Sequence, residues 1–207
     1  MQVAMTRRDL LRLGAAGVAG TVFLGDAVQA AATGRTPASS SLLLEVQDVS
    51  REYGVPVAVL LAMGYANTRL EMPAPAVTSY REGDPEGRGV YGVMALVRNP
   101  AADTVGLASR ITGLSPRELI FDRTANLRGG AALLVHSQGA TRPPQAREWL
   151  GAVAGTGGDG PVVEATSGVG GGDLYADQVA DVLARGFSIR TSSGERLELE
   201  GQEATGR

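Results

Sequence analysis

Apolar positions along this chain recur in blocks of helical period, and turns rich in glycine and proline separate the blocks. Leu42, Val46 and Val49, with Leu43 beside them, fall at i, i+4 and i+7. That spacing predicts a helix which Ser41 can cap and Gly54 can end. Pro56 suits the first turn of a second helix, PVAVLLAMGYANTRLE over residues 56–71. This stretch is apolar nearly all round through Met63, the pattern of a helix buried at the centre of a core. Residues 72–90 then read as a long loop, because Pro73, Pro75, Gly83, Pro85, Gly87 and Gly89 disfavour regular structure.

YGVMAL follows as a short apolar segment. Two further helices carry their own punctuation. SPRELI has Ser115 as N-cap, Pro116 at N1 and Glu118 at N3, which is a capping box. DRTANLRGGAALLVHSQG is capped by Asp122 and closed by Gly139, and its Gly129, Gly130, Ala131 and Ala132 permit close contact. PPQAREWLGAVAG predicts a short helix anchored by Trp149. DLYADQVADVLARG is amphipathic, with Asp173 as cap and Tyr175, Val179, Val182 and Leu183 on its apolar face. FSIRTSSGERLELE alternates about Ser193-Gly194 and predicts a hairpin.

The N-terminus changes the picture from cytosolic to exported. TRRDLLRLGAAGVAGTVFLGDAVQA pairs Arg7 and Arg8 ahead of a small-residue apolar run from Leu13 to Leu24. Val28, Ala30 and Ala32 follow as a small-residue cleavage pattern, the layout of a signal peptide. The order T-R-R-x-L-L resembles the twin-arginine export motif. The expected organisation is a signal peptide over 1–32, a linker over 33–41, a helical domain over 42–158, a Gly-rich linker over 159–172, and a helix with hairpin over 173–207. A secreted or cell-wall location follows, with no membrane attachment after cleavage.

Composition narrows the chemistry. The 207 residues hold 43% hydrophobic positions, enough for a core, and no cysteine, so thiolate and disulfide chemistry are excluded. The single histidine, His136, argues against a zinc hydrolase site built from this chain, and no metal or cofactor is expected. A net charge of -3 disfavours nucleic acid as a partner. Glu82, Asp84 and Glu86 alternate oxygens in the long loop, but not with the spacing of an EF-hand.

The phrases EYGVP, LLAMGYANTRLE, VYGVMAL and NLRGGAALL, in that order, resemble the lysozyme-like module of secreted actinobacterial N-acetylmuramoyl-L-alanine amidases. YADQVADVL ahead of TSSG fits the same pattern. The resemblance implies a mostly α-helical, lysozyme-like domain over residues 42–158. It also implies a small helix-plus-hairpin appendage leading to a zinc amidase domain beyond these residues, and peptidoglycan glycan strands as the partner. Lytic transglycosylases of this class place a Glu-Ser pair at a helix end, then a Gly-Leu-Met-Gln segment, an Asn-bearing helix and an Ala-Tyr-Asn segment.

Here the aligned positions are Asn67-Thr68, then Gly92-Val93-Met94-Ala95, then Asn126, and AVAGTGG keeps neither the Tyr nor the Asn. An amide cannot protonate a glycosidic oxygen, so Asn67 argues for a binding module without catalysis. Glu71, one helical turn on if the helix persists, is the candidate for a displaced acid, which would make the chain an active muramidase or transglycosylase. Asn67, Arg69, Tyr91, Met94 and Asn126 are the candidate substrate-binding residues. Tyr91 is either a groove residue or a core residue, and Trp149 is expected in the core. The remaining reading is a helical scaffold or interaction protein.

Overall fold

The computed structural model describes residues 41–85, 87–158 and 171–202. The signal-like segment, the linker up to residue 40, Glu86 and residues 159–170 of the Gly-rich stretch lie outside the described residues. Helix α1 runs Ser41–Tyr53 and α2 runs Val57–Thr68. A single turn, α3, spans Pro75–Thr78. Strands β1 (Val90–Tyr91) and β2 (Leu96–Val97) form a minimal antiparallel hairpin. Then come α4 (Thr104–Thr112), α5 (Pro116–Phe121) and α6 (Arg123–Gln138). A 3-10 turn over Ala146–Trp149 leads into α7 (Leu150–Gly158). Helix α8 (Gly171–Arg185) passes directly into β3 (Gly186–Arg190), which pairs antiparallel with β4 (Arg196–Glu200).

The chain is mostly helical with two small hairpins, and its central helix is the expected one. Every residue of α2 from Val59 to Gly64 is buried, so its neighbours surround it. Gly54 ends α1 at φ 67. The Ser115–Glu118 capping box is formed, Asp122 accepts from the Ala125 N–H, and Gly139 closes α6. Trp149 is fully buried, and its indole N–H donates to the Pro143 carbonyl at 2.9 Å.

Several expectations are corrected. Helix α2 stops at Thr68 and does not reach Glu71. Residues 72–90 include the turn α3, which Pro75 opens. YGVMAL is short and apolar as expected, and it folds as a tight hairpin with Tyr91 opposite Leu96. Helix α4 was not anticipated, although Asp103 caps it by accepting from the Gly106 N–H. Asp173 lies inside the first turn of α8 instead of capping it.

The C-terminal helix and hairpin are not an appendage. Tyr175, Val179, Leu183, Phe187, Leu197 and Leu199 are buried in the same hydrophobic cluster as Leu42, Leu60 and Trp149. Each fully buried side chain of this kind contributes about 1.5–3 kcal/mol relative to exposure, so the core is incomplete without this segment. Glu195, in the turn between β3 and β4, also caps α1: it accepts from the Leu42 N–H at 2.8 Å and the Ser41 hydroxyl at 2.7 Å. It pairs with Arg123, which grips Glu45 on α1 as well. The expected serine cap is thus supplied by a carboxylate from the far end of the chain.

Candidate functional site

The C-terminal end of α2 is where the resemblance places the chemistry. Two consecutive non-glycine residues there, Arg69 and Leu70, take left-handed backbone, at φ 57 and 63. The reversal is hydrogen-bonded, with Arg69 N–H to the Tyr65 carbonyl and Leu70 N–H to the Gly64 carbonyl, each at 3.0 Å. Left-handed backbone costs roughly 1–2 kcal/mol for each such residue. What offsets it is burial, because the reversal drops Leu70 into the core. Gly64 makes the room. A Cβ there would lie 2.7 Å from Leu70 Cδ2 and 3.0 Å from Val93 Cγ1.

Facing this helix end is the turn of the first hairpin, where Gly92 and Ala95 also have positive φ, 71 and 52. Three side chains hold the turn. Asn126, in the first turns of α6, is wholly buried. Its Oδ1 accepts from the Met94 N–H at 2.8 Å, and its Nδ2 donates to the Tyr91 carbonyl at 3.0 Å and the Leu119 carbonyl at 2.9 Å. From α2, Thr68 donates to the Val93 carbonyl at 3.2 Å and Asn67 donates to the Met94 carbonyl at 3.3 Å. Gly92 is obligatory, since a Cβ there would overlap the Asn126 amide.

Behind Asn67 lies Tyr175 of α8. Burial pushes its phenol well above the ordinary value, and the neighbouring Asn67 side chain only partly offsets that. The hydroxyl makes no well-formed hydrogen bond among the described residues. A buried phenol of this kind is neutral at any working pH, and it could donate.

The outward face of the same helix end is built from planes. The Tyr65 ring stacks on Phe187 of β3, with centroids 4.3 Å apart and planes 4° from parallel. The Arg69 guanidinium lies over the Tyr65 ring, 4.3 Å from its centroid. Such a contact is worth roughly 0.5–1 kcal/mol at an exposed site. Glu71 sits just beyond. Its carboxylate accepts from the Ser192 N–H at 2.7 Å and the Ser192 hydroxyl at 2.5 Å, clasping the second hairpin turn.

The predicted residues therefore divide. Asn67 is half-buried and Arg69 is exposed, side by side at the helix end. Tyr91, Met94 and Asn126 are brought to the same place, but they are buried, so none of the three side chains offers a face to a ligand. Tyr91 resolves to a core residue, because its strand sits beneath the turn that Asn126 holds. Glu71 is not on the α2 face and is engaged by Ser192. His136 is exposed on α6, as its polar flank suggested. Asp84 is engaged by Arg81, at 2.7 Å from its Nε. Ser192 and Tyr175 belong to the site and were missed. Both arrive from more than a hundred residues away, and no local pattern announces them. Comparison with known protein families, with curated proteins and with solved structures returned no match. Among the described residues, no helix is long and apolar enough to cross a membrane.

Proposed function

We propose that this protein is an exported, peptidoglycan-directed module with a lysozyme-like helical fold, one that binds glycan without cutting it. One observation carries the reading. Three of the four segments singled out by the resemblance converge in space and are hydrogen-bonded to one another through Asn67, Met94 and Asn126. At the position where the resemblance expects the proton donor, the side chain is an amide. The alternative acid, Glu71, is held by two hydrogen bonds from Ser192. A general acid must be free to lose and regain its proton on the substrate, so this arrangement favours binding over catalysis. The twin-arginine-like N-terminus supports delivery to the cell wall, and an amidase domain beyond these residues fits the same role.

A second reading has its own observation. The polar groups of Asn126, Thr68 and Asn67 serve backbone carbonyls and N–H groups, which is how a structural network behaves. On that reading the chain is a helical scaffold. One experiment separates them: incubate the protein with insoluble peptidoglycan, sediment it, and assay the supernatant for released muropeptides. Retention without release is the expected result. Release that Glu71→Gln abolishes would establish the displaced acid instead. Neither retention nor release would leave the scaffold.

A further inference from the structure

We infer that Arg69 is a carboxylate-recognition post, which deepens the proposed function by naming the chemical group that the site reads on peptidoglycan. The guanidinium carbon lies 4.3 Å from the Tyr65 ring centroid, so the ring attracts and positions the cation. Among the described residues, its N–H groups meet no carboxylate and no carbonyl. The acid two positions on, Glu71, is turned away to the Ser192 N–H and hydroxyl. The cation is also placed in advance. Its backbone is locked in a left-handed reversal by the Tyr65 and Gly64 carbonyls, and its stem is aligned by a ring that is itself stacked on Phe187. A guanidinium already ordered forfeits less rotamer freedom on binding, and its fork matches the two oxygens of a carboxylate. It stands two residues from Asn67, at the helix end where the proposed function places the glycan. Peptidoglycan offers carboxylates from two sources, the lactyl group of stem-free muramic acid and the free acids of stem peptides.

The test uses the full exported chain with 15N-labelled arginine, titrated with N-acetylmuramic acid, with N-acetyl-D-alanyl-D-alanine, and with the neutral amide of each. A saturable shift of the Arg69 Nε–H resonance with either acid and none with the amides is expected, and the acid that produces it identifies the source. Silence with both acids overturns the inference, even if the protein sediments with peptidoglycan. A shift in a protein that fails to sediment keeps the inference and sinks the proposed function. For retention on peptidoglycan, Arg69→Ala is expected to weaken binding roughly tenfold or more, the loss of one charge-assisted pair. Arg69→Lys, which keeps the charge but not the fork, should fall between. Thermal unfolding of both variants verifies that they are folded, and equal binding by Arg69→Ala and the parent would overturn the inference.

Discussion

Asn126→Ala is the most exacting probe of how the site is held. The wild-type amide is completely buried and bonds three backbone groups, the Met94 N–H and the Tyr91 and Leu119 carbonyls, at 2.8–3.0 Å. Alanine leaves all three without their partner. Each buried unsatisfied polar group costs about 1–3 kcal/mol. A water entering the polar vacancy would recover part of that, so the net loss should be about 3–5 kcal/mol. Domains of this size unfold at a total cost of about 5–15 kcal/mol, so the variant should be folded but visibly weakened. Converted at roughly 2–4 °C per kcal/mol, the melting temperature should fall by about 6–20 °C. Urea unfolding followed by tryptophan fluorescence suits the assay, because Trp149 lies in the common core. Asn126→Asp should lose at least as much at neutral pH, since a carboxylate still accepts from Met94 but has no hydrogen for either carbonyl. A loss under about 1 kcal/mol for the alanine variant would refute the claim that this amide organises the turn.

Three further outcomes follow from particular contacts. Gly130→Ala would bring a Cβ to 2.6 Å from Met94 Cγ and 2.7 Å from its Cβ, so unfolding should show a loss of about 1–3 kcal/mol; an unchanged midpoint would mean that the turn yields freely. Tyr175→Phe removes a buried hydroxyl that makes no well-formed hydrogen bond among the described residues, so stability should hold or rise by up to about 2 kcal/mol; a clear loss would reveal a bond from that hydroxyl. The Glu118 carboxyl should titrate below the ordinary glutamate range, because the Ser115 hydroxyl and N–H donate to it, and Ser115→Ala should move its NMR titration back up. Its folded pKa is lowered, so the stabilisation is present above the ordinary range and lost as pH falls through the lowered value; a titration unmoved by Ser115→Ala would sink the assignment.

What was legible in the sequence is what neighbouring residues decide among themselves. The capping box at Ser115, the Asp122 cap, the Gly54 and Gly139 stops, and the hairpin about Gly194 are local devices, and all formed. The end of α2 was misplaced because tertiary packing terminates it. Burial of Leu70 and the two hydrogen bonds of the reversal together offset what Arg69 and Leu70 lose in left-handed backbone, and no glycine marks the spot. The cap of α1 was misassigned for a related reason: Glu195 reaches it from 153 residues away. Helix α4 had a readable cap in Asp103, but Gly106 inside its first turn masked the period. At the site, residue type was legible and exposure was not. Asn67 and Arg69 are at the surface of the junction, whereas Tyr91, Met94 and Asn126 build it from within.

The environment of Asn67 bears on what a carboxyl there would have to be. Its neighbours are a carbonyl oxygen, that of Met94, and a buried neutral phenol, that of Tyr175. An ionised carboxylate would set negative charge against the carbonyl in a partly desolvated place, which favours the protonated form, whereas a hydrogen bond donated by the Tyr175 phenol would favour the ionised one. A protonated acid could donate to that carbonyl much as the amide does, and a raised pKa is what a glycosidase acid requires. The hydrogen-bonding surroundings of position 67 therefore suit either of two side chains in one role, a protonated acid or an amide. They differ in a single property, whether the hydrogen can be given away. Exchanging one for the other would leave the turn, the Asn126 network and the Arg69 post in place while ending proton transfer. On the proposed function, binding needs only the first set of features, and an acid-to-amide exchange at position 67 requires no repair to the fold.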